Sequence, residues 1–100
     1  MKQRCVKISE DANLDLIDLY DWIANAAGPD TAISYIERLE SYCIGFDLAS
    51  ERGTPRDDVR TGLRIVGFER RVTIAFMVEE KRVVILRIFY GGRDWAKLMQ

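Results

Sequence analysis

The side chains in this sequence best placed to do chemistry are arginines, because the other candidates fall away. The chain has no histidine, which removes the commonest general base and metal ligand. Cys5 and Cys43 are its two cysteines. They have neither paired spacing nor a histidine neighbour, so no zinc site is expected. Both lie in contexts that read as those of buried free thiols, and a disulfide framework is not expected. Gly91-Gly92 is too short to cradle a phosphate and follows a strand without a helix of the needed kind. Asp15, Asp18 and Asp21 fit neither a calcium loop nor a pair of inward-facing carboxylates, and read as a solvated helix face. No catalytic residue, metal site or cofactor is therefore expected.

Among the arginines, Arg60 and Arg64 flank Gly62-Leu63, and Arg93 follows a double glycine before Asp94 and Trp95. Arg87 stands among Ile85, Leu86, Ile88 and Phe89. A cation in so apolar a run needs a carboxylate partner or an exposed sheet face, since a buried unpaired charge is very costly. Two readings follow. Arg87 forms an ion pair with an aspartate of the loop or tail, or it faces outward with Arg64 and Arg93 as a basic patch. Tyr90 and Trp95 are either interface anchors, a role that aromatics and arginine dominate, or they pack the tail onto the sheet edge. Tyr20 and Trp22 cannot both be central to one helical stripe, so one lines a groove or sits half-buried at a helix–sheet boundary.

The elements that must position these residues are legible from periodicity. Lys2 to Ile8 reads as a short strand. Ser9 is a good N-cap, and Glu10 and Asp11 place negative charge in the first turn of a helix running from Asp11 to Ala27. Ala12, Leu16, Leu19, Ile23 and Ala26 form its apolar stripe, broadened by Ile17, Tyr20, Ala24 and Ala27. Gly28 ends it and Pro29 opens a second helix, whose stripe is Ala32, Ile36, Leu39, Cys43 and Phe46. So short a connection makes an antiparallel helical hairpin. Residues 49–62 read as loop, Leu63 to Phe68 as a short strand, and Arg71 to Val78 as an alternating one. Val83 to Tyr90, apolar on both faces except at Arg87, reads as a central strand. The order is β-α-α-β-β-β, an α+β fold over residues 1–100 as one domain.

Composition agrees: 48% hydrophobic and 31% charged residues describe a globular chain without disorder. No apolar run approaches the roughly 18 residues of a membrane helix. The segment Met1-Lys2-Gln3-Arg4-Cys5-Val6 has no apolar h-region, so a cytoplasmic location is expected. The net charge of −1 conceals a division. Residues 1–51 hold 4 Lys/Arg against 10 Asp/Glu, and residues 52–100 hold 11 against 6. Such asymmetry points either to an acidic or polyanionic partner or to acidic helices packing on a basic sheet within one fold.

The loop Gly53-Thr54-Pro55-Arg56-Asp57-Asp58-Val59-Arg60-Thr61-Gly62-Leu63-Arg64 and the closing Ile85-Leu86-Arg87-Ile88-Phe89-Tyr90-Gly91-Gly92-Arg93-Asp94 together resemble the RelE/ParE superfamily of bacterial toxins, and within it the ParE branch. The resemblance covers nearly all of the chain. It implies a helical hairpin packed on a small antiparallel sheet, and a ParD-like antitoxin whose C-terminal segment wraps the toxin. It also implies poisoning of DNA gyrase by binding, without chemistry of the toxin's own. Target contacts are then expected at Arg60, Arg64, Arg87, Tyr90, Arg93 and Trp95. Antitoxin anchors are expected at Tyr20, Trp22, Ile33 and Phe76. RelE-type relatives cut messenger RNA on the ribosome. Their strand arginine and C-terminal tyrosine fall on Thr73 and Met99 here, and only Arg93 meets a matching basic position. Ribosome-dependent cleavage is thus the disfavoured alternative, beside a family member that binds its antitoxin but has lost toxicity. Tyr90 stands where the ParE branch often has histidine.

Overall fold

The computed structural model describes residues 5–47 and 52–91. Ser9 starts the first helix as expected: its Oγ accepts the Ala12 N–H at 3.0 Å, satisfying one of the donors a helix leaves open at its N-terminus. Helix α1 spans Glu10–Ala27 and buries Ala12, Asp15, Leu16, Leu19 and Ile23. Gly28 alone separates it from helix α2, Pro29–Ile44. Its φ of 99° is one that L side chains rarely adopt, and its N–H closes α1 on the Ala24 carbonyl. Helix α2 buries Ala32, Tyr35, Leu39 and Cys43 and runs into a 3-10 turn, Gly45–Asp47.

The sheet has five strands in the order β1-β5-β4-β3-β2. They are β1 Cys5–Ile8, β2 Thr54–Pro55, β3 Leu63–Phe68, β4 Val72–Val78 and β5 Arg82–Tyr90. Strands β2 to β5 form an antiparallel meander, but β1 lies parallel to β5, pairing Cys5 with Arg82 and Ile8 with Ile85. The sheet is therefore mixed rather than wholly antiparallel. The extra strand β2 lies inside the segment that reads as loop. Its two residues carry no alternation to detect, and Pro55 suits an edge position because it has no N–H to donate. Gly53 admits this edge: a Cβ there would sit 2.2 Å from the Ile65 carbonyl oxygen.

One face of the sheet carries the main core, where Val72, Ile74, Phe76, Val83, Ile85 and Ile88 meet the helices. The opposite face holds a smaller cluster, Leu63, Ala75 and Phe89, with Val59, Ile65 and Leu86 packed against it. Strand β5 is buried on both faces, as its apolar run implies. Its alternation breaks once. Ala75 pairs with Arg87 and Phe76 with Ile85, which leaves Leu86 as the extra residue of a bulge. Ile85 and Ile88, three apart, thus both reach the helix-facing core.

Two thiol and carboxylate expectations need correction. Cys5 is exposed, whereas Cys43 is buried, and burial pushes the Cys43 thiol up to about 12. Cys5 sits outside the core because β1 turns Val6 and Ile8 inward and alternates Cys5 and Lys7 outward. Asp15, read as part of a solvated face, is only 6% exposed.

Candidate functional site

The burial of Asp15 is explained by what α1 meets. Strand β1 ends opposite Ile85, so the outer edge of β5 beyond that residue lacks a strand neighbour. The start of α1 fills the gap. Ser9 donates its N–H to the Ile85 carbonyl at 2.9 Å and its hydroxyl to the Leu86 carbonyl at 2.8 Å. Six residues on, the Asp15 carboxylate accepts the Ile88 N–H at 2.8 Å. Arg87 then closes on both Asp15 oxygens, Nε at 2.8 Å and the second guanidinium nitrogen at 3.1 Å. This fork raises the Arg87 pKa above its ordinary value. The guanidinium also lies 5.0 Å from the centre of the Phe89 ring.

Arg87 is therefore an ion-pair residue, but its partner is on α1 and not in the loop or tail. The outward patch joining Arg87 with Arg64 does not form. Arg64 folds back at the opposite side of the sheet, donating to the carbonyls of Arg52 at 3.1 Å and Gly53 at 3.3 Å. Arg60 is exposed in the loop before β3. That loop is held by the Arg56–Asp58 fork, 2.8 Å at each contact, and by the Gly62 N–H on Asp57 at 2.8 Å. Arg93 and Trp95 lie outside the described residues.

Tyr90 packs on Trp22 of α1, ring centres 5.2 Å apart. Trp22 remains 41% exposed. It stands at the mouth of a cavity of about 270 Å³ whose floor and walls include Leu19, Ile23, Ala26, Tyr35 and Arg71. The other expected antitoxin anchors do not converge on it. Tyr20 lies in a second groove on the outer side of the hairpin, with Leu16, Ile17 and Ile36. Ile33 is 47% exposed on α2. Phe76 is fully buried, its ring edge-on to Phe46 with centres 4.8 Å apart in the core, so it offers no surface to a partner. Its strand alternates cleanly, and the helix-facing side takes Phe76 together with Val72 and Ile74.

The periodicity did not flag Leu14, Ile17 and Ile44 as exposed, yet they are more than half accessible. Leu14 and Ile17 lie off the line of Ala12, Leu16, Leu19 and Ile23, which is the signal that could have found them. Arg71, the last residue of the β3–β4 turn, is likewise brought to the Trp22 cavity by tertiary packing alone. Among the described residues no group of three His, Cys, Asp or Glu side chains could hold a metal ion. No helix of the described residues is long and apolar enough to cross a membrane.

A helical hairpin on one face of a small mixed sheet, with apolar side chains left exposed on the helices, defines an α+β fold. The profile of the ParE toxin of type II toxin–antitoxin system, parDE, matches residues 6–95, and the chain belongs to that family. A chain of the chromosomal ParDE TA system from P. aeruginosa superposes with a TM-score of 0.77 at 25% identity, covering 88% of this chain and 96% of that one. A chain of the toxin–antitoxin complex RelBE2 from Mycobacterium tuberculosis gives 0.65 at 18% identity, covering 93% and 97%. No curated protein sequence matches significantly.

Proposed function

We propose that this chain is the toxin of a type II toxin–antitoxin pair that inhibits DNA gyrase by binding and is neutralised by a ParD-like antitoxin. The observation that carries the reading is the match of the ParE toxin family over residues 6–95, supported by the likeness to a chain of a ParDE system. The residues favour binding over catalysis. In-line RNA cleavage needs a base for the 2′-hydroxyl, cations at the phosphate and an acid for the leaving group. Here Arg87 is committed to Asp15, and the chain has no histidine. Gyrase contacts fall to Arg60, Tyr90 and the closing segment with Arg93 and Trp95, and antitoxin contacts to the exposed apolar side chains of the hairpin. The site of action is then the cytoplasm.

The test is a supercoiling assay with purified protein, read for cleaved, protein-linked DNA. Accumulation of cleaved DNA is expected. Unchanged supercoiling and cleavage, from a preparation that still arrests growth when expressed, would remove gyrase as the target and direct the search to ribosome-bound messenger RNA.

A further inference from the structure

The cavity beside Trp22 combines three features that the fold itself does not require. Its lining is almost wholly apolar, from Leu19, Ile23, Ala26 and Ala27. Arg71 is the one charged residue in that lining. Tyr35 is also in the wall, 9% exposed, and its hydroxyl has no hydrogen-bond partner among the described residues. An orphaned buried hydroxyl is a cost the chain carries alone and an incoming acceptor relieves.

The arginine is held there by a strained turn. Glu69, Arg70 and Arg71 form the three-residue connection between β3 and β4, where Phe68 pairs with Val72, and Glu69 and Arg70 have φ of 48° and 65°. Positive φ is uncommon at residues other than glycine and marks a constraint held by the surroundings. Arg38 of α2 clamps Glu69 with contacts of 3.0 and 3.1 Å. Arg70 and Arg71 are both exposed and have no carboxylate partner among the described residues. The turn therefore projects two unneutralised cations beside an apolar hole.

We propose that this cavity seats one apolar side chain of an acidic antitoxin segment, with a neighbouring carboxylate of that segment on Arg71. At about 270 Å³ it lies below the roughly 300–1,000 Å³ of sites that enclose a whole small ligand, which fits a single anchoring side chain. Trp22 at the rim and Arg71 in the wall are residue types that dominate binding hot spots. Charge complementarity selects an acidic segment, since the wall offers a cation and no anion. The identity of the occupant rests on the toxin reading above; the chemistry of the cavity does not.

The experiment uses 4-phenylbutyrate and its uncharged analogue 4-phenylbutan-1-ol as probes, with binding followed by NMR shifts of the full chain. The acid is expected to bind more tightly than the alcohol. Arg71→Gln should cut the acid's affinity about 5- to 10-fold, as loss of one charge-assisted contact does, and leave the alcohol unchanged. Ala26→Phe, which fills the rim, should abolish both. In the toxin–antitoxin complex neither probe should bind. Equal affinities for acid and alcohol, or an Arg71→Gln effect common to both, would overturn the acid-reading cavity. Probe binding that persists in the antitoxin complex would overturn the antitoxin as occupant. Displacement by oligo-dT instead would reassign the cavity to nucleic acid. Failure of growth arrest on expression, with probe binding intact, would sink the toxic activity while leaving the cavity's chemistry and its antitoxin occupant standing.

Discussion

A guanidinium on a strand between apolar neighbours is tolerated only when its charge is met. Asp15 meets Arg87 with both oxygens while also accepting the Ile88 N–H. The carboxylate side chain is 8% exposed and the guanidinium 28%, so solvent screens this pair far less than the Arg38–Glu69 pair, at 50% and 41%. Truncating Asp15 strands a half-buried cation and a backbone donor together. Asp15→Ala should therefore cost about 3 kcal/mol in urea unfolding. Asp15→Asn, which keeps one acceptor, should cost less. A midpoint for Asp15→Ala no lower than that of Asp58→Ala, which touches only an exposed pair, would show the contact to be idle. The thiols give a second check. Cys43, buried with its pKa pushed up to about 12, stays a neutral thiol at pH 8, whereas Cys5 is accessible. Ellman's reagent should titrate one thiol per native chain and two in denaturant. The sign of the linkage follows: neutral Cys43 favours the fold, and that contribution should fade as pH rises from about 8.5, the usual thiol value, toward 12.

At the scale of elements, the hairpin was legible from its helical period, β4 from its alternation and β5 from its continuous apolar run. Ser9, Gly28 and Pro29 punctuate the helices where the caps need them, and Leu63–Phe68 stands as read. What escaped was set by pairing between distant segments. The parallel addition of β1, the two-residue β2 and the Leu86 bulge depend on which strand lies beside which, and no local pattern encodes that. Asp15 looked solvated for the same reason: an acidic residue among other acidic residues gives no sign that a strand edge 73 positions later needs its carboxylate. The candidate site was legible in residue type more than in place. Trp22 and Tyr90 are together as aromatics, but Arg71 and Tyr35 join them only through the sheet. The Glu69–Arg70 turn yields a prediction of its own. Arg70→Gly removes a Cβ from a left-handed position and should raise stability by about 0.5–1 kcal/mol after the entropy of glycine is set against the relief. Thermal unfolding measures this. A destabilised variant would show that Arg70 makes a stabilising contact in the fold.

For the molecule as a whole, the charge division of the sequence takes a spatial form. Eight acidic residues of the first half lie on α1 and α2, while Arg60, Arg64, Arg70, Arg71, Arg82 and Arg87 of the second half lie on the sheet and its loops. Only part of this is internal neutralisation: Asp15 with Arg87 and Arg38 with Glu69 link the layers, while Arg60, Arg70 and Arg71 remain exposed. A toxin that acts by binding, as proposed, loses its target without losing its fold, and the two losses separate by mutation. Leu16→Asp places an unpaired charge in the helix–sheet core, where Leu16 is 8% exposed, and should abolish folding, antitoxin binding and toxicity together. Arg93→Ala should spare the melting temperature and antitoxin binding while reducing growth arrest and gyrase-linked DNA cleavage. The comparison is made by expressing each variant without antitoxin and measuring the soluble yield, the thermal midpoint and growth in parallel. A large drop in the thermal midpoint of Arg93→Ala would make that arginine a structural partner. Full toxicity with an unchanged midpoint would move the target face off the closing segment and onto Arg60 and the loop before β3.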